Sequence, residues 1–386
     1  MKKWIAAILV MALVSGCSKP ASPSSGVKIG FNFELTGVVA DYGNDEEKGA
    51  SLAVKLANER GGLLGKTIEV VKLDNKSETA EAVSVMTKLG TMEKVAGVVG
   101  PATSGITAAS YSVANQHKVP LISPSATADG ITLEKADDPS SVYEYAFRVC
   151  FLDSFQGTAM AIFAKEHLNA AKAVIIGDSS SDYAKGLAKN FNEHFTKNGG
   201  SIIASEAYVE GDKDFSSVLT KIKDMDFDVI YIPGYYSEVG LIIKQARELG
   251  IDKAIIGGDG FDSPSLLDIA GAAALNRVYF TTAYTTVTED PLVKDFVSAF
   301  KREYGKEPGM FNALGYDAAA LLLDAIKRAD STDPVKVKDA LLATKDFKGV
   351  TGSITFDELH NAIKSVLVVE VKDGVQTNSV EITVSK

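Results

Sequence analysis

The chain has 386 residues, of which 46% are hydrophobic, so it can bury more than one core and two domains are the natural expectation. A formal net charge of -10 without a basic run argues against nucleic-acid binding. The two cysteines, Cys17 and Cys150, exclude a disulfide framework, and no metal-binding spacing is present.

The first 16 residues are typical of a secretory signal, because two lysines precede an apolar run that ends in small residues. The run is too short to be a comfortable permanent membrane span. Its end, residues 13–17 (LVSGC), resembles the bacterial lipobox, which implies cleavage before Cys17 and lipidation of the thiol. An ordinary signal with a chance cysteine is the alternative.

Residues 17–26 are rich in serine and proline and have no periodic apolar positions, which predicts a flexible tether. No later segment of the sequence looks transmembrane. We therefore expect a soluble body outside the cytoplasm, which the lipid holds to the membrane.

Strands and helices alternate from Val27 to about residue 123. The strands are short apolar runs between turns, as in sheets that are covered on both faces. The predicted strands are 27–33, 67–74, 95–100 and 119–123, and the predicted helices are 45–62, 78–90 and 104–117. This alternation predicts a parallel sheet with right-handed crossovers.

The pattern restarts at residues 143–150 and predicts a second α/β lobe of similar build. Its predicted strands are 171–178, 201–209, 227–234 and 253–259, and its predicted helices are 155–168, 183–200, 214–225 and 238–250. The last part has a strand from about residue 279, helices near 291–303, 312–329 and 334–343, and a hairpin within 349–374.

Two motifs suggest enzyme chemistry, and both fall short of it. Residues 60–67 (RGGLLGKT) have too few residues between their glycines for a phosphate-binding loop, and they follow a helix where that loop needs a strand. Residues 177–182 (GDSSSD) offer an exposed serine, but three of the four histidines lie in helical patterns without an acidic partner. No dinucleotide-binding glycine pattern follows the first strand, so we expect neither a cofactor nor an enzyme. A hydrolase is the enzymatic alternative, which labelling of Ser179, Ser180 or Ser181 by a covalent serine probe would support.

Small polar residues follow two consecutive strands of the first lobe. Residues 101–105 (PATSG) open a helix after one strand, and residues 123–127 (SPSAT) end the next strand. Ligands of open α/β sheets bind beyond the carboxyl ends of the strands, where helix N-termini present free N–H groups. The two segments together therefore predict a carboxylate site of hydroxyl and N–H donors. For either segment alone, an N-cap at Ser104 or a simple turn would be the better interpretation.

An acid and several tyrosines follow the strands of the second lobe. Tyr183 lies at the start of a helix, and Tyr235 and Tyr236 follow a strand. Asp259 follows another strand and lies between two glycines, so its carboxylate is accessible to an ammonium group. The tyrosines can wall the rest of such a site. A turn aspartate and ordinary tyrosines at the core edge are the alternatives.

The layout as a whole resembles the type I periplasmic (extracytoplasmic) solute-binding proteins of the leucine/isoleucine/valine-binding type, which serve ABC importers. The resemblance covers nearly all of residues 27–372. The segments that carry it are GFNFELTGVVADYGNDEEKGASLAVKLANERGGLLGKTIEVVKLDNKSE, VVGPATSG, VPLISPSAT, FRVCFLDSFQG, GYYSEVGLIIKQARELG, GGDGF and GYDAAALLLDA. The resemblance implies two doubly wound, Rossmann-like α/β lobes joined by three crossing segments. We expect lobe 1 at 27–147 and 279–352, and lobe 2 at 148–278 and 353–386.

In that family an amino acid binds in the cleft between the lobes, and the resemblance implies a role for each site residue. The two polar loops of lobe 1 would hold the α-carboxylate; their residues are Ala102, Thr103, Ser104, Ser125, Ala126 and Thr127. Asp259 would pair with the α-ammonium. The aromatic contacts fall on Tyr42, Tyr183, Tyr235 and Phe311. Thr103 stands where some relatives have a cysteine whose disulfide braces the first loop.

The expected function is capture of an amino acid by closure of the cleft, followed by delivery to an ABC permease and its ATPase. The aromatic residues favour a branched aliphatic or aromatic amino acid, and small polar amino acids stay open because tyrosine hydroxyls can pair with them. We expect a monomer that contacts the membrane through its lipid only. The alternative is a sensor or regulatory lipoprotein of the same fold that does not transport.

Overall fold

The computed structural model describes residues 26–286 and 288–384. The predicted signal, the lipidation at Cys17 and nearly all of the tether lie outside the described residues. Within those two ranges the chain forms two α/β lobes, each built on its own sheet. No helix in these ranges has both the length and the apolar character needed to cross a bilayer.

Lobe 1 contains a five-stranded parallel sheet whose strands alternate with helices. Its first elements are β1 (Val27–Phe33), α1 (Ala40–Glu59), β2 (Ile68–Asp74), α2 (Thr79–Lys88), β3 (Val98–Val99), α3 (Ser104–His117), β4 (Leu121–Ser123) and β5 (Ala146–Arg148). The strand order is β2-β1-β3-β4-β5. Because parallel strands end at one edge of a sheet, the two polar loops that follow β3 and β4 lie side by side.

Lobe 2 contains a seven-stranded sheet. Its elements after the first crossing are α4 (Asp153–Glu166), β6 (Lys172–Asp178), α5 (Asp182–Lys197), β7 (Ser201–Tyr208), α6 (Ser216–Lys223), β8 (Val229–Ile232), α7 (Tyr236–Glu248), β9 (Ala254–Gly257), α8 (Pro264–Ala270) and β10 (Val278–Thr282). The strand order is β14-β13-β10-β9-β8-β6-β7, with β13 and β14 coming from the end of the chain. The short helix α8 had not been predicted, although Ser263 and Pro264 are the cap and first residue that favour a helix start.

The strand β10 corrects the expected boundary between the lobes. We had assigned residues 279–352 to lobe 1, but β10 pairs in parallel with β9 of the second sheet. Phe280 is buried there, and its ring packs 6.0 Å from that of Phe261. A short apolar strand fits either lobe equally well by its pattern, so the sequence could not assign it.

The remaining elements divide between the two lobes. They are α9 (Pro291–Tyr304), α10 (Met310–Ala329), α11 (Pro334–Leu342), β11 (Phe347–Gly349), β12 (Gly352–Ile354), β13 (Val366–Lys372) and β14 (Val375–Ile382). Helices α9 and α10 pack on α1 of lobe 1, whereas β13 pairs with β10 of lobe 2. The chain thus crosses between the lobes three times, after β5, after β10 and after β12. The hairpin that we predicted within 349–374 is in fact two hairpins, β11–β12 and β13–β14.

The helix α1 is fixed closely against α10, and this contact positions the face of α1 that reaches the cleft. A Cβ atom added at Gly49 would lie 1.9 Å from the carbonyl oxygen of Asn312, and one at Gly315 would lie 2.1 Å from that of Glu46. Both positions therefore need glycine, because any side chain would push the two helices apart.

Candidate ligand-binding cleft

The two polar loops of lobe 1 are joined to each other by short hydrogen bonds. The Ser123 hydroxyl donates to the carbonyl of Pro101 at 2.6 Å and accepts from the N–H of Ala126 at 3.1 Å. The Ser104 hydroxyl accepts from the N–H of Ala128 at 3.1 Å. The loops that we predicted to act together therefore form one unit at the carboxyl edge of the sheet.

A buried glutamate that the sequence analysis missed occupies part of this unit. Glu34 follows β1 and is fully buried. Its carboxylate accepts the N–H of Ala102 at 3.0 Å and both the N–H and the hydroxyl of Thr103 at 3.1 Å. Burial raises the pKa of Glu34, and these hydrogen bonds oppose the rise. The N–H groups of Ala102 and Thr103 are thus engaged within lobe 1, where they brace the loop.

Several of the six residues predicted on the two loops have hydrogen-bond partners within lobe 1. Ala126 is engaged on both sides, because its carbonyl accepts from Nη1 of Arg148 at 2.8 Å. Ser104 begins α3, where the first N–H groups have no acceptor within the helix. Thr127 is 1% exposed and Ser125 is 8% exposed, and both lie on the second loop. Ser104 and Thr127 are therefore the residues of the six whose hydroxyls are best suited to a ligand, since the Ser125 hydroxyl is held by Glu46 and the carbonyl of Ala102.

Tyr42 of lobe 1 reaches across the cleft. Its hydroxyl donates to the carbonyl of Gly260 at 2.6 Å and accepts from the N–H of Tyr236 at 3.2 Å, and both of these residues belong to lobe 2. Further bonds cross between the lobes: the Ser263 hydroxyl donates to Asp41 at 2.9 Å, and the Tyr236 hydroxyl donates to a loop carbonyl of lobe 1 at 3.3 Å. The two lobes are thus in contact, and the cleft is closed.

The four predicted aromatic residues form one continuous cluster. The ring of Tyr42 lies 4.5 Å from that of Phe311 and 5.6 Å from that of Tyr235. Tyr235 in turn stacks on Tyr183 at 5.0 Å. Two members come from each lobe, so closure completes an aromatic wall that neither lobe has alone.

Asp259 is buried and held in a single orientation. Its Oδ1 accepts from the hydroxyl of Tyr183 at 2.8 Å and from Nε2 of Gln156 at 3.1 Å. Gln156 is fixed in turn, because its Oε1 accepts the N–H of Asp259 at 3.0 Å and the hydroxyl of Thr281. Burial raises the pKa of Asp259 to about 6, although these hydrogen bonds lower it. Gln156 was not predicted as a site residue; it lies within the segment FRVCFLDSFQG that carried the family resemblance.

The cleft contains more buried acids than bases. Glu34, Glu46, Asp153 and Asp259 are each at most 3% exposed, and burial raises the pKa of all four. In the part of the chain that the structure describes, none of them forms an ion pair with a lysine or arginine. The buried cation Arg148 is bound instead to Asn361 and to backbone carbonyls. Such a site favours a ligand with a cationic group.

The serines of the motif GDSSSD have local structural roles. The Ser179 hydroxyl donates to the carbonyl of Tyr208 at 3.0 Å, and the Ser180 hydroxyl donates to Asp178. The Ser181 hydroxyl accepts from the N–H of Ala184 and caps α5. Ser180 and Ser181 line a cavity of about 340 Å³, which Thr103 and Gly105 of lobe 1 also line. None of these bonds joins a serine hydroxyl to a histidine.

Comparison with known proteins agrees with this architecture. A family model described as periplasmic binding protein matches residues 26–376. The chain belongs to this family. Its relatives place it among the type I periplasmic binding proteins of the leucine/isoleucine/valine-binding group, which is a group of solute-binding proteins.

Two solved structures and one curated relative illustrate the relationship. The substrate-binding protein LivJ of a branched-chain amino acid transporter from Streptococcus pneumoniae, solved in complex with isoleucine, is 46% identical with a TM-score of 0.87; the match covers 92% of this chain and 99% of LivJ. The leucine-binding protein LivK from Thermotoga maritima is 38% identical with a TM-score of 0.85, over 92% of this chain and 98% of LivK. A leucine-, isoleucine-, valine-, threonine- and alanine-binding protein from Pseudomonas aeruginosa is 30% identical, over 89% of both chains.

Proposed function

We propose that this protein is the extracytoplasmic substrate-binding component of an ABC importer and that it captures a branched-chain or other apolar α-amino acid between its lobes. The observation that carries the proposal is the pairing of two unlike half-sites. Lobe 1 offers uncharged donors around Ser104, Ser125 and Thr127. Lobe 2 offers Asp259, an acid that Tyr183 and Gln156 hold in place.

A free amino acid fits these half-sites because it carries both charges on one carbon atom. Its carboxylate would take the Ser104 and Thr127 donors at the start of α3 and on the neighbouring loop. Its ammonium would pair with Asp259 from the opposite lobe. Only the closed protein makes both sets of contacts, so the ligand shifts the population toward the closed form.

The aromatic cluster supports an apolar side chain as the preferred specificity. Tyr42, Tyr183, Tyr235 and Phe311 leave the side-chain end of the site lined by rings. Rings of this kind gain from contact with aliphatic groups, and they offer few groups that pair with a charge. The relatives LivJ and LivK, which bind isoleucine and leucine by their descriptions, favour the same choice.

The delivery step and the anchor belong to the same proposal. The lipobox-like sequence before Cys17 would place a diacylated terminus in the membrane, and residues 17–26 would tether the closed protein near a permease. The protein would act there as a monomer, since a single chain contains both half-sites.

A thermal-shift screen over the twenty common amino acids tests the proposal most simply. A ligand that binds only the folded protein raises Tm by mass action, so we expect leucine, isoleucine and valine to raise it most. A flat response to all twenty would contradict amino-acid capture. Uptake of the best ligand by cells that lack this protein would then separate transport from sensing: loss of uptake supports transport, and unchanged uptake contradicts it.

A further inference from the structure

Glu46 is a buried acid of the cleft that the proposed function leaves unused. It lies one helical turn after Tyr42, on the face of α1 that reaches the other lobe. Its side chain is fully buried. Among the described residues, its Oε2 has no hydrogen-bond partner, whereas its Oε1 lies within hydrogen-bonding distance of the Ser125 hydroxyl.

The number of protons available for the hydrogen bonds of Ser125 indicates the protonation state of Glu46. The Ser125 hydroxyl has one proton and lies near two oxygens, Oε1 of Glu46 and the carbonyl of Ala102 at 3.0 Å. A carboxylate at position 46 would leave one of these acceptors unsatisfied. If Glu46 is a carboxylic acid, its proton goes to Ser125 Oγ and the serine proton goes to the carbonyl of Ala102. Every group in this chain of bonds is then satisfied.

The groups that face Glu46 also favour the neutral acid. Glu34 after β1, Asp259 of lobe 2 and Asp45 on α1 itself all bear on it as like charges. Burial raises the pKa of Glu46 well above its ordinary value; the hydrogen bond with Ser125 opposes this rise, and the like charges add to it.

The cations and acids of the neighbouring elements are engaged elsewhere. Lys48 and Lys306 both pair with Asp45, at 3.1 and 3.3 Å. On the packed helix α10, Asp317 is bound by the N–H groups of Val350 and Thr351. Neither α1 nor the packed helix α10 with its preceding loop thus supplies a free cation that would stabilise an ionised Glu46.

We propose that Glu46 is a further ligand-binding residue, which stays protonated in the closed protein, donates to Ser125 and presents Oε2 as an acceptor to the ammonium of the bound amino acid. This inference rests on the proposed function. Asp259 already balances the single positive charge of the ligand, and a second ionised acid would leave a buried charge unpaired. A neutral carbonyl oxygen adds a hydrogen bond to the ammonium without that cost.

Glutamine at position 46 is the matched test, because its amide group can donate to Ser125 and its oxygen can accept from the ligand, as the neutral acid does. With L-leucine at pH 7, we expect Glu46→Gln to bind within about twofold of the wild type. Glu46→Ala removes the acceptor and should lose roughly tenfold in affinity. Glu47→Gln, on the outer side of the same helix where Glu47 pairs with Lys72, is the control and should bind as the wild type does.

Isothermal titration would measure these affinities, and unfolding of each ligand-free variant would verify its fold. A loss of tenfold or more in a folded Glu46→Gln protein would overturn the proposal, because it would mean that the ammonium requires an ionised Glu46. Wild-type affinity in Glu46→Ala would overturn it as well. If the wild type binds no amino acid, the proposed function fails and this inference fails with it, whereas failure of the variants alone leaves the proposed function intact.

Infrared difference spectroscopy gives a second readout that does not depend on affinity. The wild type with leucine should show a carbonyl stretch of the buried Glu46 carboxylic acid at pH 7, and the spectrum of Glu46→Gln should lack this one contribution. Identical spectra for the two proteins in that region would contradict a protonated Glu46.

Discussion

The two lobes differ in the charge of the groups that they offer to a ligand. In the proposed function, lobe 1 would meet the ligand with neutral hydroxyl and N–H groups, and its acid Glu34 accepts hydrogen bonds from its own loop. Lobe 2 would meet the ligand with an acid, Asp259, which accepts hydrogen bonds from the neutral groups of Tyr183 and Gln156. Burial of an uncharged half-site costs little free energy, whereas burial of an ionised acid without a cation costs much more. We therefore expect the half-site of lobe 1 to form alone and that of lobe 2 to need the ligand.

This difference suggests an order of events. An amino acid would settle first on the donors of lobe 1, and closure would then bring its ammonium to Asp259. Variants in lobe 2 should therefore act mainly on the affinity of the closed state, and variants in the bracing acid of lobe 1 should act mainly on stability.

The largest effect is expected from the acid of lobe 2. Asp259→Asn keeps the shape of the side chain and removes the charge that pairs with the ammonium, so the Kd for leucine should rise by roughly tenfold to a hundredfold or more. Isothermal titration measures it. Asp262→Asn is the matched control, because Asp262 is a half-buried acid of lobe 2 that is bound to Thr282 and Gln376. Equal losses in both variants would show that the effect is not specific to Asp259.

Glu34→Ala tests the brace of lobe 1. It leaves the buried N–H groups of Ala102 and Thr103 without acceptors, so the free energy of unfolding should fall by about 1–3 kcal/mol. Urea unfolding of the ligand-free protein measures this change. Glu47→Ala, which removes a partly exposed ion pair with Lys72, should cost less than about 1 kcal/mol. A stability for Glu34→Ala that matches the control would contradict the bracing role.

Tyr183→Phe tests whether the hydrogen bond from the Tyr183 hydroxyl holds Asp259 in place for the ligand. The variant loses the bond from the Tyr183 hydroxyl to Asp259 and the bond that this hydroxyl accepts from Gly260. We expect an affinity loss of roughly tenfold. Tyr231→Phe is the control in the same lobe, because the Tyr231 hydroxyl is buried and has no partner among the described residues. It should bind normally and be no less stable than the wild type.

The pH dependence gives the smallest expected effect. Since burial raises the pKa of Asp259 to about 6, its ionised fraction falls below that pH, and the affinity for leucine should drop by about fourfold between pH 7 and pH 5.5. The stability of the ligand-free protein should change in the other direction. The unfolded state loses the proton near pH 4 and the folded state near 6, so this acid's contribution to stability is present below about pH 4 and is lost as the pH rises to about 6. Asp259→Asn should remove the part of each trend that comes from this acid.

Much of the fold could be predicted because its signals are local. The alternation of apolar runs and amphipathic helices predicted two α/β lobes, and helix α3 was predicted with the bounds that the structure has. The assignment of β10 and the missed helix α8 show the limit. Which sheet a short apolar strand joins depends on its neighbours in space, and a helix of seven residues has too little periodicity to be recognised.

The candidate site could be predicted only in part, for a similar reason. The hydroxyl loops, Asp259 and the tyrosines follow strand ends, and the pattern indicates such positions. Glu34 and Glu46 looked like ordinary polar residues of a strand end and an amphipathic helix. Their burial arises from the packing of α1 between the β1 loop, α10 and the other lobe, and no single segment of the sequence contains that information.

Binding of three small molecules tests the central claim most directly. L-Leucine has both charges, 4-methylpentanoic acid lacks the ammonium and 3-methylbutylamine lacks the carboxylate, while all three share a branched aliphatic side chain. If two unlike half-sites meet one zwitterion, isothermal titration should show tight binding of leucine alone, with each analogue weaker by roughly a hundredfold or more. Binding of either analogue as tightly as leucine would contradict the account.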